Sequence, residues 1–386
     1  MQTITWNQQV VKRNNKSLVL QMIMEKEPVS RADIAQITGL NKATVSSLVS
    51  ELLEEDFVYE SGPGESSGGR RPVLLHFNKT AGFAVGIDIG VNYILSVLTD
   101  LKGNIIIEKN QAVEDVSFTS VFQLATSMVR SLLKEMPGSR YGAVGIGIGV
   151  PGIVDKAGTV LLAPNLGWKN ISLKQAFEEE FHLPVIIENE ANSGAYGEKQ
   201  FGAGQTYEDI IYISAGIGIG AGIILKGELF QGKNGYSGEM GHMIIEADGK
   251  KCSCGSRGCW EVYASEHALL SMSQKEKLSL ETLISRAEKQ DPEAIELFKK
   301  VGVYLGIGIN NIINTFNPEQ IIIGNRLARA KKWLEQPISD TIQSHTLPFH
   351  QKEVKLHFSK LSSYSAALGV SAFAVEDFIR TGIISA

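Results

Sequence analysis

Cysteine is almost missing: three residues in 386, all between positions 252 and 259. So low a count excludes a disulfide framework and makes a reducing cytoplasm the expected setting. Proline is scarce too, 11 against 39 glycines, which excludes collagen-like and linker-rich classes and indicates many tight turns. No apolar run is long enough for a membrane helix. The longest uncharged one, residues 210–225, spans 16 positions and is studded with glycine, where about 20 apolar residues are needed. It reads as a pair of buried strands. The opening MQTITWNQQVVKRNNK has no unbroken apolar core, so export is not expected. Positive charge is not in excess either, the net charge being −5. What is present is 43% hydrophobic residues, enough for a core, over a length that suggests two or three domains.

Residues 1–76 carry eight Lys or Arg against nine Asp or Glu, so net charge does not single them out as a nucleic-acid binder. Distribution matters more, because only the local field touches a phosphate. The acidic residues gather between Glu51 and Glu65, and Lys12, Arg13, Lys16, Arg31, Lys42, Arg70 and Arg71 are expected to share one face. Val10, Val11, Leu18, Val19, Met22 and Ile23 give a helical stripe. After Pro28, Ser30 with Asp33 at the third position predicts a capped short helix through Gln36. Thr38, Gly39 and Leu40 predict a turn, and Asn41 caps a helix whose inward face is Val45, Leu48, Val49, Leu52 and Leu53.

This is a helix-turn-helix. Lys42, Ala43, Thr44, Ser46 and Ser47 fall on the outer face of its second helix, at the end that normally reads base edges. Arg31 and Asn41 flank that face. Residues 57–59 and 73–75 predict two strands joined by GPGESSGGRRP, a basic wing with Arg70 and Arg71 at its tip. Residues 1–78 therefore predict a winged helix-turn-helix for double-stranded DNA, with a three-helix protein-docking module as the alternative.

From residue 83 on, strand-like runs alternate with helical patterns, the sign of an α/β architecture. Strands are expected at 83–89, 94–99, 105–109, 143–150, 210–214, 219–225 and 320–323. Helices are expected at 118–134, within 280–316 and at 364–379. GIDIG at 86–90, GIGIGVPGIVD at 145–155, ENEAN at 188–192, the glycine run 216–222, GEMGH at 238–242 and CSCGSRGCWE at 252–261 together resemble the ROK family of sugar kinases and transcriptional repressors. The resemblance covers residues 80–386. With the winged helix in front, the chain is similar to the repressor branch, and within it to the xylose-sensing repressors of Gram-positive bacteria. The resemblance implies a two-lobed actin-like ATPase fold closing on a sugar, with lobe one at about 80–190 plus the C-terminal helix and lobe two at about 191–360. It also implies a homodimer on a palindromic operator.

His242, Cys252, Cys254 and Cys259 supply four ligands within 18 residues, the number that a closed tetrahedral zinc site requires. Glycines 255 and 258 let the chain fold back on itself. One structural zinc per chain is expected, with three buried thiols packing as small hydrophobes as the alternative. The His242 nitrogen that is not on the metal needs a partner, and a sugar hydroxyl would serve. By resemblance, Asn165, Asn189, Glu190, Glu239, His242 and Glu261 occupy the family's sugar-contacting positions, with Gly152 beside them.

The family's kinases place an aspartate at position 190 as general base, whereas this chain has Glu190, one methylene longer. A displacement of about 1 Å forfeits on the order of a hundredfold in rate. After Asp88, Ile89 and Gly90 the kinases continue with Gly, Thr and Lys, but here Val91, Asn92 and Tyr93 follow. Ile217 stands where threonine is usual, and Gly324-Asn325 replaces a double glycine. These departures predict a sugar sensor without enzymatic activity. The extra methylene of Glu190 is expected to crowd the hydroxymethyl of a hexose and so to favour D-xylose as inducer, with glucose or glucose 6-phosphate open as competitors. An active ATP-dependent sugar kinase with a DNA-binding appendage and a protein-interaction scaffold are the remaining alternatives. No membrane partner is expected.

Overall fold

The computed structural model describes residues 8–63, 72–273, 278–350 and 354–385. The chain opens with helix α1 (Gln8–Lys26), strand β1 (Val29–Ser30), α2 (Arg31–Thr38), α3 (Lys42–Glu54), β2 (Val58–Pro63) and β3 (Val73–Phe77). Ser30 Oγ accepts from the Asp33 amide at 3.2 Å, while the Asp33 carboxylate accepts from the Ser30 amide at 3.2 Å. This reciprocal cap starts α2. Gly39, at φ 71°, ends it two residues later than the pattern suggested. Asn41 Oδ1 caps α3 by accepting from the Thr44 amide at 2.7 Å. Val19, Leu20, Ile23, Ile34, Val45, Leu48, Val49 and Leu52 are buried together. β1 was not expected; it pairs with β3 and makes the wing sheet three-stranded, in the order β1-β3-β2.

One expectation for this region is corrected. Lys12 and Lys16 do not join a basic outer face. They lie one helical turn apart on α1 and meet Glu51 and Glu55, one turn apart on α3: Lys12 to Glu51 at 2.8 Å, and Lys16, buried, to Glu55 at 2.5 Å. The acidic cluster is thus partly consumed in fastening α1 to α3. Arg31 is likewise engaged, by Glu60 on β2 at 2.8 Å.

Each of two larger sheets has five strands. The first is built from β4 (Phe83–Ile89), β5 (Tyr93–Asp100), β6 (Ile105–Ala112), β7 (Ala143–Val150) and, after a small sheet of β8 (Ile153–Val154), β9 (Val160–Ala163) and β10 (Trp168–Ile171), by β11 (Val185–Asn189). Helices α4 (Phe118–Glu135), α5 (Leu173–Phe181) and α6 (Glu190–Phe201) belong to this half in sequence. The second sheet takes β12 (Ile210–Ala215), β13 (Ile219–Leu225), β14 (Glu228–Leu229), β15 (Gln320–Gly324) and β16 (Lys355–Phe358). With it come α7 (Glu261–Ala264), α8 (Glu266–Ser271), α9 (Leu280–Glu288), α10 (Pro292–Phe316), α11 (Lys331–His345) and α12 (Ser365–Ser385).

The two sheets share one topology. Counted within its own half, each has the strand order 3-2-1-4-5, with the first three strands antiparallel and the last two parallel to the first. The central strands β4, β7, β12 and β15 are almost wholly buried, as strands covered on both faces must be. That is why they read as unbroken apolar runs.

The last helix of each half covers the sheet of the other: α6 packs on β12 and β13, α12 on β4 and β7, and the two helices pack on each other. Glycine makes the approach possible. A Cβ on Gly369 of α12 would lie 1.8 Å from the Ser193 carbonyl oxygen of α6, and one on Gly197 of α6 would lie 2.1 Å from that of Ser365. At its far end α12 joins the N-terminal region: Phe378 and Phe57 both lie against the Tyr141 ring, at centroid distances of 5.1 and 5.2 Å. The Tyr141 hydroxyl and the Arg140 guanidinium donate to the carbonyls of Glu55 and Glu54 at the end of α3, at 2.7 and 2.6 Å.

Gly369→Ala is expected to destabilise the chain by about 3 kcal/mol or more, because a backbone oxygen cannot yield to the new methyl. Gly382→Ala, in the same helix but with no neighbour closer than 3.7 Å, should be neutral or stabilising by about 0.5–1 kcal/mol. Urea melts of the two variants beside the unsubstituted chain check both values.

Candidate functional site

Parallel strands deliver their C-terminal ends to one place, where loops and helix starts converge. Here β11 ends on Asn189 and α6 begins on Glu190. Asn189 Oδ1 caps α6, accepting from the amides of Ala191 and Asn192 at 2.8 and 3.1 Å, and its Nδ2 donates to the Gly152 carbonyl at 2.8 Å. Gly152 is obligatory at that bend: its φ is 127° and a Cβ would stand 2.3 Å from the Leu162 carbonyl oxygen. A cavity of about 450 Å³ opens over this junction, and Asn165, Asn189, Glu190, Glu239, His242 and Glu261 all line it. The six positions expected to act together are therefore brought together. Of these, Asn189 has its amide largely occupied by the cap, and Glu239 lies half-exposed on the rim.

Two carboxylates meet at the floor. Glu190 Oε1 accepts from Ser214 Oγ at 2.6 Å and from Asn325 Nδ2 at 2.8 Å. Asp88, on β4, is buried; its Oδ2 accepts from the Tyr93 hydroxyl at 2.6 Å, and its Oδ1 has no partner among the described residues. Burial first, and then the nearby charge of Glu190, holds the Asp88 carboxyl well above the usual carboxylate range. Burial also raises Glu190, against the pull of its two donors. The same causes, burial followed by the charges of Asp88 and Glu190, push the Tyr93 phenol up. Tyr93 and Asn325 line the end of the cavity next to the glycine run: the Tyr93 ring lies against Gly90 and the Asn325 amide against Gly216. Arg326, the cation nearest that end, is already held by Glu266 at 2.7 and 3.0 Å.

Asn325 has φ 61° and ψ −161°, a region that costs a non-glycine residue on the order of 1–3 kcal/mol. Neither Ser214 nor the role of Asn325 was found from the sequence. The signal for Asn325 was its replacement of a glycine; a serine inside an apolar strand offered none.

Beside the cavity, His242 Nδ1, Cys252 Sγ, Cys254 Sγ and Cys259 Sγ lie within 4.8 Å of one another. A tetrahedron with metal–sulfur bonds of about 2.3 Å has edges of about 3.8 Å. Cys254 Sγ and Cys259 Sγ are 3.7 Å apart, as are Cys252 Sγ and His242 Nδ1. The four groups can therefore hold a metal ion. Gly258, at φ 73°, passes so close to the Glu246 carbonyl that a Cβ would sit 1.7 Å from it, which is how the loop doubles back. His242 turns Nδ1 to the sulfurs and Nε2 towards Glu239 Oε2, 3.8 Å away. Glu261 Oε1 is 3.0 Å from Cys252 Sγ and 3.5 Å from His242 Nδ1, so cluster and cavity share a wall.

The ROK family model matches residues 84–377, and the IclR helix-turn-helix domain model matches residues 18–62. The chain belongs to the ROK family. With a helix-turn-helix in front of the family's body, it is one of the ROK transcriptional regulators. It is 46% identical to the xylose repressor of Bacillus spizizenii over 375 residues, covering 97% of this chain and 98% of that protein. The xylose repressor of Bacillus subtilis is 44% identical with the same coverage. Among solved structures, a ROK family transcriptional regulator described as a homologue of the Escherichia coli MLC protein matches with a TM-score of 0.82 and 28% identity, over 97% of this chain and 98% of that one. A ROK family glucokinase from Streptomyces griseus, solved with glucose and AMPPNP, matches with 0.70 and 28%, over 76% of this chain and 100% of that one.

On the helix-turn-helix of this ROK regulator, Asn41, Lys42, Ala43, Ser46 and Ser47 are exposed on the outer side of α3, and Thr44 is half-buried. Arg70 and Arg71 lie outside the described residues. No helix among the described residues is long and apolar enough to cross a membrane.

Cys259→Ser, or chelation of the unsubstituted chain, is expected to remove about one metal ion per chain and to lower Tm by several degrees, since ligand binding and folding are coupled at such a site. Elemental analysis with calorimetry before and after chelation tests it; a chain that never carries metal and melts unchanged would contradict it.

Proposed function

We propose that this ROK regulator is a repressor that senses D-xylose. As a homodimer it holds a palindromic operator through α3 and the wing of residues 1–78, and it lets go when the sugar fills the cavity in the body of residues 80–386. The observation that carries this reading is the cavity itself. One end presents carboxylates, amides and imidazole, the groups that match hydroxyls able both to donate and to accept. The other end is lined by Tyr93, Ile217 and Asn325, at positions where the resemblance to the family's kinases implies lysine, threonine and glycine. That arrangement favours binding over phosphoryl transfer. The names of the two Bacillus relatives support xylose, and the longer side chain of Glu190 supports a pentose over a hexose.

The cysteine cluster suits zinc in a closed, structural role, four thiolate and imidazole ligands leaving no open position. Zinc would fix the orientation of His242 and leave Nε2 for a sugar hydroxyl. A reducing cytoplasm suits both the thiols and the operator. Coupling from sugar to DNA has a continuous route: α6 starts at Glu190 on the cavity floor, packs on α12, and α12 ends on the aromatic cluster below α3. The sugar must bind the DNA-incompetent arrangement better, and a tenfold release takes only about 1.4 kcal/mol of differential affinity.

Operator binding by gel shift across xylose, arabinose, glucose and glucose 6-phosphate tests the reading. Release by xylose alone is expected; glucose or its 6-phosphate opposing xylose without releasing DNA would mark it as a competitor. Turnover of ATP with any of these sugars, and no release, would replace the repressor by a kinase. Glu190→Asp should narrow the preference for xylose over glucose, and Lys42→Ala should lower the slope of log affinity against log salt by about one.

A further inference from the structure

Asn325 occupies a backbone region that suits glycine, φ 61° and ψ −161°. A residue with a side chain persists there when that side chain is engaged. Its Nδ2 donates to Glu190 Oε1 at 2.8 Å and to Ser214 Oγ at 3.0 Å, and its Oδ1 accepts from the Arg326 amide at 2.6 Å. Ser214 Oγ donates a hydrogen bond to the same Glu190 oxygen at 2.6 Å. Two donors from the second half of the body therefore converge on one oxygen of a carboxylate that starts α6. Glu190 Oε2 takes no hydrogen bond among the described residues and belongs to a side chain that lines the cavity.

The surroundings of Glu190 otherwise oppose its charge. Asp88 and Tyr93 face it from the first sheet, Tyr212 from β12 beneath α6, and Glu239 and Glu261 from across the cavity. Arg326 is neutralised by Glu266, and His242 faces the cysteine cluster and Glu239. Ser214 and Asn325 are thus the groups that favour ionised Glu190. Hydrogen bonds to a charged acceptor are stronger than neutral ones, so an ionised oxygen is the better partner for a sugar hydroxyl.

We infer that Asn325 is a positioning residue for sugar recognition: with Ser214 it holds Glu190 ionised and in a single orientation, so that the second carboxylate oxygen meets a hydroxyl in the cavity. The assignment rests on the sugar-sensing reading of the cavity.

Asn325→Gly and Ser214→Ala each remove one donor, and glycine suits the backbone at 325, so the first variant should fold. In sugar-free protein carrying ¹³C at glutamate side-chain carboxyls, the Glu190 signal is identified by its loss in Glu190→Gln. Its titration midpoint should rise by about one pH unit in either variant, because removing a donor disfavours the charged form. Xylose affinity by calorimetry should fall in either variant near and below the shifted midpoint, and the deficit should close as the pH is raised above it, where Glu190 is ionised in all three chains. A merely structural role would give a deficit that is the same at every pH. An unmoved midpoint, or a pH-independent deficit, overturns the inference. If the unsubstituted chain binds no sugar while the midpoint still moves, the sensing reading falls and the hold of Asn325 on Glu190 stands.

Discussion

The rest of this molecule hangs on the crossing of α6 and α12. At Gly197 and Gly369 the two helices approach backbone to backbone, closer than any side chain allows. Each helix covers the sheet of the other half, so neither half can be packed without its counterpart. The start of α6 carries Asn189 and Glu190 into the cavity, and the end of α12 carries Phe378 to the base of α3. A crossing this tight has no room to deform gradually. It moves as a unit or changes between discrete arrangements, which is the behaviour a sensor needs from the joint between its ligand and its DNA.

The cavity brings two carboxylates together between the two halves of the body. Its floor holds Asp88 and Glu190 with no free cation between them among the described residues, an arrangement costly for two charges and tolerable for one. Tyr93 satisfies one oxygen of Asp88, while Ser214 and Asn325 gather on Glu190. Tyr93 and Asn325, which line the end of the cavity beside the glycine run, are the same side chains that hold these two carboxylates, and they come from both halves of the body.

Much of this was readable in advance, for local reasons. Ser30, Asp33, Gly39 and Asn41 announce caps and a turn because their conformational preferences act within a few residues. The strands at 83–89, 143–150 and 219–225 announce themselves because a doubly covered strand must be apolar throughout. The cysteine cluster is compact in sequence and therefore compact in space. The basic face misled for the opposite reason: where Lys12, Lys16 and Arg31 point depends on Glu51, Glu55 and Glu60, and pairing across helices is not periodic in the chain. Ser214 and the role of Asn325 escaped because each takes its meaning from Glu190, 24 and 135 positions away.

The sequence alone determined the family, the helix-turn-helix, the order of elements and the kinds of groups available to a metal and a sugar, because caps, periodicities and short motifs are properties of neighbours along the chain. Only the tertiary structure decided that six distant polar residues share one cavity, that Tyr93 and Asn325 line its far end, and that two like-folded halves are locked by exchanging their last helices. Those facts depend on contacts between residues far apart in sequence, and on glycines whose importance lies in what passes over them.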